Sequence, residues 1–456
     1  MSRNRLLRIH NPYSGELEGE IESTPVGSIP DIVSKAFRAY RDNQLPAFDR
    51  YSILAGAAGL IREQKEDWAV SICRETGKPV RESLTEVDRA ITTLEVSAQE
   101  ALRVEGLIQA CDVTDNRIAR NAYVHRVPIG VILAVTPFNF PLNIPAHKIG
   151  PALAAGNAVI LKPSPRAPLA TSRFASLFHQ AGLPGNLLQV VNGDNGVTRA
   201  LAQSEVSAVS FTGSSSTGEA MARWSSGKKL VLELGGNDAA IVMDDADLEK
   251  AAAAIVAHRF GSSGQRCTAC KRVFIHQSVY EAAREILVRL VSRLRAGDPM
   301  DEATDIGPLI DDRSAEEICR KIEDAAGRGA KLILGGGRKG RFIEPTLIEN
   351  IDHEDPLVRE ETFGPVLPLV PFNDLDQAIR MVNSTSYGLQ SAIFTNRMDT
   401  VLKAFREIEA GALIVNDGPG FRIESLPFGG VKQSGFGREG VRYAINEFTT
   451  LKTLVM

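Results

Sequence analysis

Gly130-Val-Ile-Leu-Ala-Val135 is the stretch that decides the fold of this chain. Its continuous apolar character and its β-branched residues predict a buried strand that starts at a glycine and ends at a polar loop. Comparable runs follow at Ala158-Val-Ile-Leu161, Leu187-Leu-Gln-Val-Val191, Val206 to Phe211 and Leu230 to Leu234. Helical patterns separate these runs, at Pro168 to Ala181 and at Thr217 to Trp224. Strands that alternate with helices predict a parallel sheet with crossover helices.

The alternation continues toward the C-terminus. It resumes near Ala239, with a helix from Leu248, a strand from Arg272 to His276 and a helix from Val279 to Leu294. Two amphipathic helices are predicted before the first sheet, from Tyr51 to Val70 and from Glu86 to Val104. A chain of 456 residues exceeds the size of a single hydrophobic core. We therefore predict an α/β protein with two parallel-sheet domains that meet near residue 236.

The overall composition restricts the partners and the compartment. Hydrophobic residues make up 43% and charged residues 24% of the chain, as in ordinary globular proteins. The net charge of -4 gives no reason to expect binding to nucleic acid or to an anionic membrane. No apolar run approaches the roughly 18 residues of a membrane span, and the basic N-terminus lacks the apolar core of a secretory signal. Five scattered cysteines form a poor disulfide framework, so we predict a cytoplasmic protein.

Two glycine- or proline-containing loops follow predicted strands, at the edge where open parallel sheets bind ligands. In Thr136-Pro-Phe-Asn-Phe-Pro-Leu-Asn143 the prolines fix the backbone around Asn139. Its amide could hydrogen-bond a developing oxyanion, although a lone asparagine more often forms a turn or a helix cap. In Phe211-Thr-Gly-Ser-Ser-Ser-Thr-Gly218, Gly213 and Gly218 let the backbone approach a phosphate at a helix N-terminus. A plain tight turn explains this spacing equally well.

A third segment, Leu232-Glu-Leu-Gly-Gly236, places an acid in an apolar strand. Glu233 is therefore either paired with a buried cation or kept as a general base with a raised pKa. The sequence does not separate these two hypotheses, and structural pairing is the commoner case.

A fourth segment, Gly261-Ser-Ser-Gly-Gln-Arg-Cys-Thr-Ala-Cys270, contains two cysteines. Cys267 is expected in a polar loop beside Arg266, a setting that favours the thiolate. Cys270 has no second cysteine pair or histidine cluster with which to form a zinc site, so we predict no metal. The pattern indicates that Cys267 is a catalytic thiol.

These segments resemble the aldehyde dehydrogenase superfamily, and the resemblance runs along essentially the whole chain. The motifs that carry it are Asn11-Pro-Tyr-Ser-Gly15, Pro137-Phe-Asn-Phe-Pro141, Leu232-Glu-Leu-Gly-Gly236, Gly264-Gln-Arg-Cys267, Glu360-Glu-Thr-Phe-Gly-Pro365 and Pro427-Phe-Gly-Gly-Val-Lys432. The resemblance implies two Rossmann-like domains, a β oligomerisation arm, and assembly as a homodimer or homotetramer. It assigns the dinucleotide-binding domain to residues 1–107 and 126–235, the catalytic domain to 236–417, and the arm to 108–125 and 436–456.

The resemblance also implies oxidation of a small aldehyde to a carboxylate. Cys267 would attack the aldehyde to form a thiohemiacetal. Asn139 and the Cys267 backbone N–H would hold its oxyanion. Glu233 would then activate water to hydrolyse the thioester.

The implied cofactor is NAD or NADP. Its expected contacts are Thr136, Pro137, Phe138, Lys162, Ser164, Arg166, Gly213, Ser214, Gly218, Leu234, Glu361 and Phe363. Many NAD-preferring relatives carry a glutamate three residues after the lysine that matches Lys162, and this chain has Pro165 there. Loss of that carboxylate favours NADP or dual use, with Lys162, Ser164 or Arg166 as ligands of a 2′-phosphate. The alternative is that Arg166 points into solvent.

Arg266 is the most informative residue for the substrate. Its segment resembles the non-phosphorylating glyceraldehyde-3-phosphate dehydrogenases and the phosphonoacetaldehyde dehydrogenases, and Arg89 matches an anion-binding arginine of both branches. Arg422 lies in a segment, Gly418 to Ser425, that resembles the phosphonoacetaldehyde branch more closely. Arginine pairs well with phosphate-like groups, so a phosphonate or phosphate on the aldehyde is expected. Phe140 stands where the phosphonoacetaldehyde enzymes carry a histidine. Arg89 could instead be an ordinary exposed or ion-paired helix residue, and Arg266 could serve only to lower the pKa of Cys267.

Three other functions are alternatives to the oxidation of an anionic aldehyde to a carboxylate. A general or lactaldehyde-type dehydrogenase would accept uncharged aldehydes. An acylating enzyme would transfer the thioester to coenzyme A, but such relatives generally lack the acid that matches Glu233. A non-catalytic relative has no need to retain Asn139, Glu233 and Cys267 together.

Overall fold

The computed structural model describes residues 6–113 and 120–456. In this part of the chain the helices are α1 (Ile29–Asp42), α2 (Ala47–Glu63), α3 (Lys65–Thr76), α4 (Val80–Ala101), α5 (Asn143–Ala154), α6 (Leu169–Gln180), α7 (Asn195–Gln203), α8 (Ser215–Trp224), α9 (Leu248–Phe260), α10 (Tyr280–Val291), α11 (Asp312–Gly327), α12 (Pro356–Arg359), α13 (Leu375–Asn383), α14 (Met398–Glu407) and α15 (Val441–Glu447). The strands are β1 (Leu6–His10), β2 (Leu17–Glu22), β3 (Leu107–Ala110), β4 (Asn121–Pro128), β5 (Val131–Val135), β6 (Ala158–Lys162), β7 (Leu188–Val190), β8 (Ala208–Thr212), β9 (Lys229–Glu233), β10 (Ala239–Val242), β11 (Arg272–His276), β12 (Lys331–Leu334), β13 (Arg338–Lys339), β14 (Phe342–Ile343), β15 (Thr346–Glu349), β16 (Val366–Phe372), β17 (Gln390–Phe394), β18 (Ala412–Val415), β19 (Gly435–Phe436) and β20 (Thr449–Val455).

The first sheet has six strands in the order β19-β9-β8-β5-β6-β7. β5 to β9 run parallel, and β19 pairs antiparallel with β9 at one edge. Every residue of β5, β6 and β8 is buried, as expected for parallel strands covered on both faces by helices. The strand order reverses between β5 and β8, so a crevice opens at their carboxyl ends.

The second sheet has seven strands in the order β12-β15-β16-β11-β10-β17-β18. All its pairings are parallel except that of β12 with β15. Only residues 234–238 separate β9 in the first sheet from β10 in the second. The prediction of an α/β fold with two Rossmann-like parallel sheets is confirmed.

A third, antiparallel sheet has the order β20-β4-β3. It lies in the region assigned to the oligomerisation arm, although residues 114–119 of that assignment fall outside the described residues. The preceding helix α15 packs against α5 and contributes Val441 and Ile445 to the core of the first sheet. The domain boundaries therefore stay predictions.

The structure differs from the sequence prediction in two helices. The helix expected from Tyr51 to Val70 is two helices, because the backbone of Gln64 leaves helical geometry (φ -123°, ψ 32°) between α2 and α3. The helix expected from Glu86 starts six residues earlier at Val80, directly after Pro79, a residue type that readily precedes a first helical turn. None of the helices within the described ranges is long and apolar enough to cross a membrane. All five cysteines are free thiols.

Candidate active site

Buried polar atoms line the crevice of the first sheet. Thr136 follows β5, Thr212 ends β8 and Glu233 ends β9. The hydroxyl oxygens of both threonines and both carboxylate oxygens of Glu233 are buried without a hydrogen-bond partner among the described residues. Because buried polar groups are nearly always paired, their alignment along one sheet edge indicates a ligand site.

The turn after β8 has the shape expected of a phosphate-binding turn. A Cβ on Gly218 would lie 2.3 Å from a methyl carbon of Leu234, and a Cβ on Gly213 would lie 2.5 Å from the Phe211 ring. Ser214 caps α8, and its hydroxyl accepts a hydrogen bond from the Thr217 N–H at 3.4 Å. The start of α8 thus stands at the carboxyl edge of the sheet, where a helix N-terminus favours an anion.

A second group of the residues predicted for the cofactor follows β6. Lys162 ends this strand, and burial lowers its pKa to about 8 although Asp194 opposes the shift. Two residues on, the Ser164 hydroxyl accepts a hydrogen bond from the Arg166 N–H at 3.2 Å. The Arg166 guanidinium lies 3.3 Å from the carboxylate of Asp311. Arg166 is therefore ion-paired rather than free in solvent.

An aromatic contact joins the two halves of the predicted cofactor site. The Arg166 guanidinium lies 5.5 Å from the centre of the Phe138 ring, next to Pro137 in the loop after β5. Phe138 meets Phe363 edge to face, with ring centres 6.2 Å apart. Glu361, two residues before Phe363, accepts a hydrogen bond from the Gly236 N–H at 3.1 Å. The structure therefore brings these residues together from both sheets.

The loop that carries Cys267 has a strained backbone. Unlike the other three motifs, it does not follow a strand: it follows α9 and leads into β11. Ser262 and Ser263 adopt left-handed conformations, with φ of 51° and 54°. Gly264 has φ 73°, and a Cβ there would lie 2.4 Å from the carbonyl oxygen of Gly364. Such conformations cost on the order of 1–3 kcal/mol each and tend to occur at functional sites.

Asn139 lies against this loop. Its side-chain Nδ2 donates a hydrogen bond to the carbonyl oxygen of Gln265 at 2.9 Å, two residues before the thiol. Its Oδ1 is buried without a partner among residues that the structure describes. The loop after β5 and the cysteine loop thus meet at the crevice.

The charge around Cys267 differs from the sequence expectation. Arg266 was expected to favour the thiolate, but burial raises the pKa of the half-buried Cys267 thiol to about 11. Lys271 is the strongest opposing charge, whereas Asp238 and Glu361 add to the increase. Cys270 is fully buried, with its sulfur 3.7 Å from the carbonyl oxygen of Arg272.

Glu233 lies beside a buried ion pair. Lys148 donates to Glu439 at 2.8 Å and to the Ser210 hydroxyl at 3.0 Å. Burial, reinforced by the neighbouring Glu439 carboxylate, raises the pKa of Glu233 well above its usual range. Glu439 is buried too, but Lys148 and Arg422 hold its pKa at about 2. The ionised form of Glu233 is therefore disfavoured, whereas that of Glu439 is stabilised by the neighbouring cations.

The three arginines predicted to bind substrate are not equivalent. Arg89 pairs with Glu424 at 2.7 Å, and Arg422 pairs with Glu439 at 3.2 Å. Arg266 has no carboxylate within 4.0 Å in the described ranges, and its Nε is buried without a hydrogen-bond partner there. Arg266 is thus the arginine of this set whose charge has no ion-pair partner.

Four charged residues of this site were not predicted from the sequence to belong to it, namely Lys148, Asp238, Lys271 and Glu439. Lys271 follows Cys270 directly and Asp238 follows the two glycines of the third motif, so proximity to a motif was a usable signal for both. Lys148 and Glu439 are 291 residues apart, and only the fold brings them together.

A dinucleotide-type sheet whose crevice meets a strained cysteine loop is the arrangement expected of a dinucleotide-dependent oxidoreductase. The chain belongs to the aldehyde dehydrogenase family, whose family model matches residues 1–454. It is 42% identical over 448 residues to the sulfoacetaldehyde dehydrogenase of Neptuniibacter caesariensis, covering 98% of both chains. It is 40% identical over 455 residues to the 3-sulfolactaldehyde dehydrogenase of Priestia aryabhattai, covering 99% of this chain and 94% of that one.

A solved structure shows the same fold over the full chain. The glyceraldehyde-3-phosphate dehydrogenase GapN of Methanocaldococcus jannaschii, complexed with NADP, superposes with a TM-score of 0.96 at 36% identity and covers 100% of both chains. The prediction of an NAD(P)-dependent aldehyde dehydrogenase is confirmed. The unpartnered Thr136 and Thr212 hydroxyls and the glycine-lined turn before α8 fit such a dinucleotide.

Proposed function

We propose that this enzyme oxidises a short aldehyde that carries a sulfonate, such as sulfoacetaldehyde or 3-sulfolactaldehyde, to the corresponding carboxylate. The observation that carries the proposal is the charge of Arg266, which lies next to the nucleophile without an ion-pair partner in the described structure. The names of the two relatives, each of which gives a sulfonated aldehyde as the substrate, support it.

The charge balance favours a sulfonate over the phosphonate or phosphate that the sequence predicts. Glu424 and Glu439 pair with Arg89 and Arg422, whereas Arg266 forms no ion pair with a described residue, and only the more distant Glu82 carboxylate opposes its charge. A sulfonate carries a single negative charge and presents oxygens that the planar guanidinium fork can bind in pairs. A dianionic phosphonate would leave one charge unbalanced in a partly buried site, which is costly.

The proposed chemistry uses Cys267, Asn139 and Glu233. The Cys267 thiolate attacks the carbonyl carbon, and the new oxyanion accepts hydrogen bonds from the Asn139 amide and the Cys267 N–H. One N–H of the Asn139 amide is held by the Gln265 carbonyl, which leaves its second N–H to donate to the oxyanion. NAD(P), when bound, supplies the redox chemistry by accepting a hydride. Glu233 finally takes a proton from water as the water attacks the thioester.

We propose the predicted residues as the holders of the cofactor, with NADP or dual use as the preference. Lys162 faces the adenosine ribose, Ser214 the pyrophosphate, and Glu361 with Phe363 the nicotinamide ribose. Pro165 supports NADP because it supplies no carboxylate that would repel a 2′-phosphate. The nearby Arg166 is held by Asp311 at a half-exposed pair, which a phosphate can displace at small cost.

Replacement of Arg266 by leucine tests the substrate class. We expect kcat/KM for sulfoacetaldehyde to fall by roughly 10²- to 10³-fold, because loss of one partner of a desolvated charge pair costs about 2–5 kcal/mol. For propionaldehyde, an uncharged aldehyde of similar size, we expect a change below about threefold. The measurement is steady-state NAD(P)H formation with both aldehydes.

The Arg266→Lys variant is the control for charge without the guanidinium fork, and we expect an intermediate loss. An equal fall for both aldehydes would mean that Arg266 acts only on the thiol. In that case the sulfonate proposal fails, whereas the aldehyde dehydrogenase chemistry stands.

We also propose that the sheet β20-β4-β3 is an oligomerisation arm and that the enzyme forms a homodimer or homotetramer. Ile108 in β3 and Leu454 in β20 are more than half exposed, and exposed apolar residues on edge strands are usually covered by a partner chain. We expect the Ile108→Asp, Leu454→Asp double variant to sediment as a monomer. The matched control Val26→Asp, at an exposed apolar residue outside the arm, should keep the wild-type mass. A monomeric wild type would contradict the arm assignment.

The cytoplasmic location stays a prediction, and five free thiols agree with a reducing compartment.

A further inference from the structure

Lys271 is a buried lysine whose ammonium faces the backbone of the nucleophile loop. Its side chain is 1% exposed. Its Nζ donates hydrogen bonds to the carbonyl oxygen of Arg266 at 3.0 Å and to that of Cys267. The carboxylate of Glu361 lies 3.5 Å away and completes the shell. Burial of an ammonium costs several kcal/mol unless it is paired and hydrogen-bonded, and Lys271 has two hydrogen bonds and one ion pair that offset this cost.

We propose that Lys271 is a positioning residue for the nucleophile, whose ammonium fixes the carbonyls of Arg266 and Cys267 and keeps one positive charge beside the thiol. The inference rests on the proposed role of Cys267. The side-chain hydrogen bonds of Lys271 in the described structure go to the loop backbone and not to the Cys267 sulfur. The Glu361 carboxylate, 3.5 Å from the Lys271 ammonium, partly offsets the effect of this charge on the thiol.

The two functions of Lys271 follow from one geometry. The carbonyls of Arg266 and Cys267 both accept from Lys271, so the peptide units before and after the Cys267 Cα are both held. The charged groups that act on the thiol are Lys271 and Arg422, which favour the thiolate, and Asp238 and Glu361, which disfavour it. Lys271 has the largest effect of these charges. A residue that served only to hold the loop would not need to be charged.

Alkylation of Cys267 by iodoacetamide, measured from pH 7 to 10.5 without cofactor or aldehyde, tests the proposal. Only the thiolate reacts, so the alkylation rate at each pH follows the thiolate fraction of Cys267, whose pKa burial raises to about 11. We expect Lys271→Met to displace the profile to higher pH and to slow alkylation at pH 8 about tenfold or more. We expect Glu361→Gln to displace it to lower pH and to speed alkylation, because it removes a negative charge near the same sulfur.

Lys321→Met is the matched control. Lys321 donates to the backbone carbonyl of Glu361 at 2.9 Å and pairs with Glu360 at 3.3 Å, but it makes no hydrogen bond to the nucleophile loop. The pH profile of Cys267 alkylation in Lys321→Met should coincide with that of the wild type. Mass-spectrometric fragmentation assigns the label to Cys267 rather than to Cys270, which shares the tryptic peptide in the wild type.

The opposite signs of the two shifts separate an electrostatic role from a structural one. An unchanged profile for a folded Lys271→Met variant, or shifts of both variants in the same direction, would overturn the proposal. If Lys271→Met does not fold, the Glu361→Gln profile still decides: no acceleration refutes the charge balance. The assay uses no aldehyde, so a failure of the proposed oxidation leaves its result intact.

Discussion

Replacement of Cys267 by alanine is expected to abolish aldehyde oxidation, with a loss of about 10⁴-fold or more in kcat. No other thiol can take over, because Cys270 is fully buried and its sulfur faces the Arg272 carbonyl. Binding of NADP, followed by fluorescence, and the melting temperature should stay close to wild type. The measurement is NAD(P)H formation over a panel of sulfonated and uncharged aldehydes.

The neighbouring Cys270→Ala variant is the matched control. We expect it to keep most of the activity and to lose about 1 kcal/mol of stability, since it removes one buried sulfur. Substantial oxidation of aldehydes by Cys267→Ala would exclude a covalent thiol mechanism.

Replacement of Glu233 by glutamine is expected to separate the two halves of the reaction. Acylation of Cys267 should still release one NAD(P)H per active site as a rapid burst. Turnover should then slow by roughly 10²- to 10⁴-fold, because no group remains to take the proton from the attacking water. Intact-protein mass spectrometry should detect the acyl group that accumulates on Cys267.

The pH dependence of the wild type gives an independent check of the same acid. Burial and the Glu439 carboxylate raise the pKa of Glu233, so the base form appears only as the pH rises. We therefore expect thioester hydrolysis to accelerate with increasing pH until Glu233 is ionised.

The control for the burst experiment is Glu75→Gln. This variant alters another buried carboxylate, which accepts hydrogen bonds from the Leu169 and Ala170 N–H groups, and it should show no burst. Steady turnover by Glu233→Gln at the wild-type rate would assign the base to another residue.

The sequence was sufficient for the fold because local signals agreed with each other. Continuous apolar runs such as those of β5 and β6 are typical of parallel strands buried on both faces, and both were predicted within one residue of their observed bounds. The break at Gln64 was missed because neither glycine nor proline marks it. In helices that pack against a core, tertiary contacts decide where such breaks fall.

The electrostatics of the site depend on contacts between distant parts of the chain. Arg89 and Glu424 are 335 residues apart, and their ion pair turns a predicted substrate ligand into a compensated charge. The high pKa of Cys267 was missed for the same reason: the sequence shows the neighbouring Arg266, but the burial around the sulfur comes from the folded chain. Motif residues could therefore be named from the sequence, whereas their charge states could not.

The most direct test of the sulfonate proposal is a comparison of sulfoacetaldehyde with propionaldehyde, each with NADP and with NAD. The assay should follow NAD(P)H together with the carboxylic acid product, in the absence of coenzyme A. We predict one NAD(P)H and one sulfoacetate per sulfoacetaldehyde consumed, with kcat/KM about a hundredfold or more above that for propionaldehyde. Equal kcat/KM values for the two aldehydes would contradict the proposed anion site, and a requirement for coenzyme A would contradict hydrolysis by Glu233.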